Sequence, residues 1–137
     1  MKKRWSIVIC ILVLIPILST SSIASQNTVI QIEDIDDSYL LGVASVIENV
    51  GDVSAEDIEW SITFEGGTVF IPIGGIRNGA CKSISPGERK NIFSGPVFGF
   101  GFGLLTPLEI TVSARASNAD PVQKTEVGWM FLFIVRV

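Results

Sequence analysis

Alternation of apolar and polar residues with a period of two runs through much of the chain and predicts β-strands. In its clearest segment, residues 58–65, the apolar side chains are Ile58, Trp60, Ile62 and Phe64. Residues 108–115 repeat the pattern. Because successive side chains of a strand point to opposite faces, both segments are predicted to be half-buried strands. Weaker patterns predict further strands at residues 28–32, 39–50, 68–73, 89–93 and 122–137.

Turn-forming residues separate these segments. Gly66-Gly67 predicts a two-residue hairpin whose return strand is residues 68–73. Pro86 and Gly87 predict a tight turn, because proline presets φ and glycine accepts the left-handed region. Loops are predicted at residues 33–38, 51–57, 74–80 and 117–121. Turns roughly every 8–15 residues, without a helical period, predict an all-β antiparallel sandwich of about seven strands.

The first 24 residues have the features of an export signal. Lys2, Lys3 and Arg4 precede an apolar run at residues 7–18, and small residues at Ser22 and Ala24 suit a signal peptidase. A secretory apolar segment has roughly 7–15 residues and a spanning helix about 20, so the run is short for a span. We therefore expect a signal helix at residues 1–24 and one extracellular, cell-surface or periplasmic domain at residues 25–137. The alternative is an uncleaved helix that anchors this domain.

Composition narrows the classes of partner. Cleavage after Ala24 would leave 113 residues with 7 Lys and Arg against 14 Asp and Glu, a net charge of −7. An acidic surface disfavours nucleic acid and electrostatic attachment to anionic lipid. Cys81 would be the single cysteine, which excludes a disulfide within the chain. Its setting is polar and turn-like, and two interpretations remain: a buried free thiol that acts as a small hydrophobe, which is favoured because free cysteines are usually buried, or a bridge between molecules.

A set of positions resembles the CARDB-type family of prokaryotic immunoglobulin-like (Ig-like) domains. They are Ile47-x-Asn49-x-Gly51, Ala55, Ile58-x-Trp60-x-Ile62 and Ile84-x-Pro86-Gly87-Glu88. The resemblance covers roughly residues 28–116 and implies an Ig-like β-sandwich in an exported adhesion or spacing module without catalytic activity. It also implies that Asn49 and Gly51 shape the turn between two central strands. The chain departs from the family in its apolar last strand and in a run of phenylalanine and glycine before the penultimate strand.

Few residues offer catalytic or metal chemistry. The chain has no histidine, so neither a Ser-His nor a Cys-His pair can form. The carboxylate pairs Glu56/Asp57 and Glu109/Glu126 fall on polar faces, where a solvated role is expected. A calcium site is a weak alternative to a solvated acidic turn at Glu33, Asp34, Asp36 and Asp37, because these lack the twelve-residue calcium-loop spacing. We therefore predict no enzyme and no cofactor.

Two aromatic segments remain without a scaffold role. In residues 95–103 an extended chain puts Phe98, Phe100 and Phe102 on one side and glycines on the other. These phenylalanines either complete the core, which is favoured because burial removes much apolar area from water, or form an exposed ridge. Residues 129–135 are apolar on both faces, so either both faces are covered, by the phenylalanine and glycine segment or by a second protomer, or one face is exposed and marks an interaction site. The candidate interaction residues are Phe98, Phe100, Phe102, Trp129, Phe131 and Phe133.

These observations together predict an exported, non-enzymatic module for binding, adhesion or structural assembly at the cell surface. Its partner would be another protein or a second copy of the chain. The alternative is a membrane-anchored protein whose apolar C-terminal strand contacts lipid or a membrane partner. Nucleic acid is not an expected partner.

Overall fold

A computed structural model describes residues 26–38, 42–66, 69–131 and 134–137. Within these ranges the chain forms eleven β-strands and no helix. The strands are β1 (Ile30–Ile32), β2 (Asp36–Ser38), β3 (Gly42–Asn49), β4 (Ala55–Glu65), β5 (Val69–Ile73), β6 (Ile76–Ile84), β7 (Arg89–Phe93), β8 (Phe98–Gly101), β9 (Leu105–Ala116), β10 (Ala119–Phe131) and β11 (Ile134–Arg136).

Two antiparallel sheets share the core. In the smaller sheet, β3 pairs with β7 on one side and with β1 and β2, end to end, on the other. The larger sheet has the order β5-β8-β11-β10-β9-β4-β6. The predicted all-β, sandwich-like architecture is confirmed, although the strands number eleven among the described residues and not about seven.

The alternation read from the sequence decides which side chains fill the space between the sheets. On β4 the residues Ile58 and Ile62 are fully buried, and on β9 Ile110 and Val112 are fully buried. The smaller sheet contributes buried isoleucines from β1, β3 and β7, namely Ile30, Ile32, Ile47 and Ile92. Burial of one face per strand supplies the main hydrophobic stabilisation of such a two-sheet core.

The larger sheet curls strongly at the end where β4 stops. Its two edge strands, β5 and β6, are separated in sequence by only Gly74 and Gly75. In addition, β5 contacts β9, although three strands lie between them in the sheet. The curl encloses a second part of the core, which includes Val97, Met130 and Val135.

The predicted hairpin between β4 and β5 is wrong. The Val69 N–H donates to the Gly66 carbonyl over 3.2 Å, but β5 pairs with β8 and not with β4. The long alternating strand β4 pairs with β6 and β9 along most of its length. Two glycines determine a local turn, but the partner of a strand is determined by the side chains that it buries.

Several predicted boundaries also change. The expected loop at residues 74–80 lies mostly in β6, the acidic segment 33–38 contains β2, and the expected loop at 117–121 shrinks to a two-residue turn before β10. The last strand divides into β10 and β11. The turn at Pro86-Gly87 is confirmed, with Gly87 at φ 75°. The predicted N-terminal helix lies outside the described residues.

Candidate interaction surface

The outer face of the larger sheet carries a continuous row of apolar side chains. Residues that pair across neighbouring strands project from the same face of a sheet. At the curled end, one such row crosses β5, β8, β11, β10 and β9 through Ile73, Phe98, Ile134, Phe131 and Leu105. All five side chains are at least partly exposed. Their neighbours on the same strands, such as Met130, Thr106 and Val135, point inward and are buried.

More apolar residues extend this row along the strands. Phe70 pairs with Phe100 on one side of the row, and Trp129 pairs with Pro107 on the other. Phe100 is 55% exposed and Trp129 is 45% exposed. We call these outward residues the aromatic face, which comprises Phe70, Ile73, Phe98, Phe100, Leu105, Pro107, Trp129, Phe131 and Ile134.

The other half of the same outer face is mostly polar, although Ile76 on the edge strand β6 is exposed beside Thr63. Thr63, Thr111 and Thr125 form one row across β4, β9 and β10, and the Thr111 and Thr125 hydroxyls lie 2.9 Å apart. The next row contains Ser61, Ser113 and Gln123, and the row after it contains the ion pair of Arg115 with Glu59. The border between the halves holds Val127 beside the carboxylates of Glu65 and Glu109, which pair across β4 and β9. One sheet therefore presents two chemically different surfaces.

The phenylalanines of β8 face outward because its glycines are needed inward. A Cβ on Gly99 would lie 2.8 Å from the Met130 methyl carbon and 2.8 Å from the Phe70 carbonyl oxygen. A Cβ on Gly101 would collide with the Thr106 side chain. The favoured interpretation of Phe100 and Phe102 as core residues is therefore wrong. Met130 and Thr106 fill the inner space beside β8, and Phe102 lies in the exposed turn after that strand.

The six residues named from the sequence have different surroundings. Phe98 is half-buried, Phe100, Trp129 and Phe131 are exposed on the aromatic face, and Phe102 is 92% exposed in the turn after β8. Phe133 lies outside the described residues. Five residues of the aromatic face are not among the six candidates, namely Phe70, Ile73, Leu105, Pro107 and Ile134. The alternation of β9 could have indicated Leu105 and Pro107, since they share its parity with the outward residue Glu109.

The two ends of the molecule have turns of opposite character. Beside the aromatic face, the turn between β8 and β9 exposes Phe102 and Leu104. At the far end, Asn118 lies in the turn between β9 and β10, where its Nδ2 donates to the Ser54 carbonyl over 2.9 Å. The Asn49 side chain, which is fully buried, also bonds to loop backbone at that end. An exposed apolar turn is unusual, because connecting segments lie at the surface, where polar side chains are expected.

The acidic segment is engaged by cations from other strands. Glu33 pairs with Arg89, Asp34 with Lys124 at 2.5 Å, and Asp37 with Arg136 at 3.5 Å. The hydrogen bond and positive charge of Lys124 hold the pKa of Asp34 below its ordinary value. Among the residues that the structure describes, no three metal-binding groups cluster at one point. The calcium interpretation of Glu33, Asp34, Asp36 and Asp37 thus gains no geometric support.

The other candidate groups are separated or half-buried. Glu109 points outward on β9, whereas Glu126 pairs with Ile110 and lies on the opposite face, beside Lys124. Cys81 lies within β6, not in a turn, and is half-buried, and burial raises its pKa. A depression of about 740 Å³ near Trp60 is bordered by the Glu59–Arg115 pair and contains no catalytic pair.

No family model, curated protein or solved structure matches this chain. In the described part of the chain, no helix has the length and apolar character that crossing a membrane requires.

Proposed function

We propose that the chain is an exported, non-enzymatic binding module that recognises a protein partner through the aromatic face. The observation that carries this proposal is the division of one sheet face into an apolar and a polar half. Isolated apolar residues are normal on protein surfaces, but a contiguous apolar patch marks an interaction site. Aromatic side chains held on strands are also rigid, so they lose little conformational freedom on binding.

We also propose that the part of the chain outside the curled end folds as an Ig-like module of CARDB type. The arrangement of β3 with β7 opposite the group β6, β4, β9 and β10 supports it. The implied turn role of Asn49 has support in its bonds: its Nδ2 donates to the Val53 and Ile84 carbonyls, each over 2.8 Å. Its Oδ1 accepts from the Gly51 N–H over 3.0 Å. These residues act as scaffold in this proposal and not as a binding site.

The proposal is non-enzymatic because the chemistry available in the sequence is poor. Histidine is absent from the chain. The carboxylates of Glu33, Asp34 and Glu59 are taken up in ion pairs with cations. The pKa of Asp34 is lowered by Lys124, which makes this carboxyl a poor general acid near neutral pH.

The alternative proposal is a membrane-anchored protein that touches lipid with its C-terminal strand. The described chain begins at the end opposite the aromatic face, where Asn118 Nδ2 donates to Thr28 Oγ1 over 3.3 Å. The length of β10 separates the two ends by roughly 40 Å. Residues 19–26 can span at most about 28 Å. If residues 7–18 lay in a bilayer and the domain stood upright on it, the aromatic face would therefore lie at the far end of the domain, away from that bilayer.

Site-specific photo-crosslinking in the exporting cell tests the proposed function. A photo-reactive phenylalanine analogue replaces Phe131 in one variant and Gln123 in another. Both positions are exposed on β10 and share its outward face, but Gln123 lies in the polar half. We expect a protein adduct from position 131 and none from position 123. Absence of any adduct at 131, or equal adducts at both, would contradict the proposal.

Export is tested separately by mass spectrometry of the N-terminus. A chain that begins at or near Ser25 indicates cleavage and release. An intact Met1 indicates the anchored alternative. A chain retained in the cytoplasm would contradict both.

A further inference from the structure

We infer that the occupant of the aromatic face is a second copy of the same chain, which makes the working form a face-to-face homodimer. This inference rests on the proposed function and specifies its partner. It follows from the area of the face, its charge and the polarity of the surfaces around it.

The exposed area is large enough for a stable interface. Seven of the nine residues of the aromatic face are classed as exposed and the other two are half-buried. Since a fully buried aromatic side chain accounts for about 150–250 Å², the face and the Phe102–Leu104 turn together expose on the order of 1,000 Å² of apolar surface. The largest apolar patch on a typical monomer is about 300–600 Å². A standard interface buries about 800 Å² on each partner. The exposed apolar area is thus larger than the apolar patch of a typical monomer and comparable to the area that one partner buries in a dimer.

The charges around the face favour protein over lipid. Glu65 and Glu109 border it on the side of β4, and Arg136, which pairs with Trp129 and so projects from the same face, forms an ion pair with Asp37. Recognition of an anionic membrane surface uses clusters of lysine and arginine, and none flanks this face among the described residues. The face itself carries the aromatic and aliphatic core that protein interfaces require.

Two copies can also meet here with less electrostatic cost than elsewhere. The domain has a net charge of −7, so two copies repel, but repulsion is screened over about 8 Å at physiological ionic strength. Docking through a largely apolar face, whose Arg136 pairs with Asp37, keeps most carboxylates far apart. A two-fold arrangement, the commonest for homo-oligomers, lets the same patch serve both partners. Association driven in this way should strengthen as salt is added.

Sedimentation equilibrium of residues 25–137 over a range of protein and salt concentrations tests the inference. Phe131→Glu adds a charge to the aromatic face, and Gln123→Glu adds the same charge to the polar half of the same strand. We expect the parent and Gln123→Glu to form dimers, and Phe131→Glu to dimerise at least about tenfold more weakly, because a buried unpaired carboxylate is costly. Leu105→Glu, on the neighbouring strand, should behave like Phe131→Glu, and a β-sheet circular dichroism spectrum like that of the parent, lost in one cooperative transition on heating, confirms that each variant is folded.

Other outcomes distinguish this inference from the proposed function. A monomer at all concentrations, whose position 131 crosslinks to a different protein in the cell, overturns the homodimer and leaves the binding function standing. A monomer that floats with neutral phosphatidylcholine vesicles, and loses this binding in Phe131→Glu, overturns both in favour of lipid contact. A dimer that Phe131→Glu and Leu105→Glu leave unchanged assigns association to another surface and overturns the inference.

Discussion

At the scale of single residues, Asn49 illustrates how one buried amide holds the end of the sandwich opposite the aromatic face. Its side chain is fully buried and makes three hydrogen bonds to backbone groups. In Asn49→Ala the Val53 and Ile84 carbonyls lose this donor, and we expect a loss of about 3 kcal/mol in the free energy of unfolding. Urea denaturation measures this loss. Asn91→Ala, at an exposed position on β7, is the control and should change stability by less than about 0.5 kcal/mol. A similar small change at Asn49 would contradict the scaffold role.

Gly101 determines which face of β8 points toward the core. Because a Cβ there would collide with Thr106, Gly101→Ala must displace the strand or its neighbour. We expect a fall of about 1–3 kcal/mol in the free energy of unfolding, the usual cost of overpacking. Gly75→Ala is the matched control, since its nearest neighbour to an added Cβ, an Ile71 carbon, lies at 3.5 Å. Equal stability of Gly101→Ala and the parent protein in thermal or urea unfolding would show that β8 does not pack with its glycines inward.

The ion pair between Asp34 and Lys124 gives a prediction about pH. The pKa of Asp34 lies below its ordinary value of 3.8, so the pair stabilises the fold above that pH and is lost as the pH falls through the lowered pKa. The pKa of Lys124 is raised above 10.5, and its contribution is lost as the pH rises through that raised value. In Lys124→Gln, an NMR titration should find the Asp34 pKa moved up toward 3.8. Lys90→Gln should leave it unchanged, and the same result for both variants would disprove the pairing.

At the scale of elements, the strands should differ in how readily they open. β9 pairs along most of its length with both β10 and β4, whereas β5 is an edge strand that pairs with β8 through few positions and an irregular register. Local opening is easiest where backbone pairing is sparse. Hydrogen–deuterium exchange followed by mass spectrometry should find β5 amides exchanging well before those of β9. Simultaneous exchange of both strands would indicate that the curled end and the central strands open as one unit.

The strands that the sequence predicts best are those with an unbroken period of two. Alternation identified most of β4 and β9, because each buries one face against the core. It failed for β6, where the pattern is exposed along most of its length and contains the turn-like pair Asn78-Gly79. In the structure Gly79 pairs with Trp60, whose ring occupies the space where a Cβ would stand. That glycine serves a contact between distant residues, which local turn preferences cannot register.

Only part of the candidate interaction surface could be predicted from the sequence, for a similar reason. The alternation of Phe98, Gly99, Phe100 and Gly101 assigns the phenylalanines to one face of a strand but does not decide which face is buried. Met130 and Thr106 decide it, and they lie on β10 and β9, neither of which pairs with β8. The register that joins Ile73, Phe98 and Phe131 into one row is likewise a product of tertiary structure.

At the scale of the whole molecule, the domain has a polar end and an apolar end. The described chain begins at the polar end, beside Asn118, and the aromatic face occupies the other. This arrangement suits a module whose binding surface lies at the end opposite the start of the described chain. In this account the strands between the two ends act as a rigid spacer, and the hydrogen bonds at the polar end stabilise the fold.

The most direct test of the central claim is photochemical footprinting of the mature domain, purified at high dilution and in the exporting cell. The claim is that the aromatic face is exposed in the isolated domain and covered when the protein works. We predict heavy labelling of Trp129, Phe131 and Phe100 at high dilution and several-fold weaker labelling in the cell, with Gln123 and Thr125 labelled equally in both. Labelling of the three aromatic residues that is equal in both states would contradict the account.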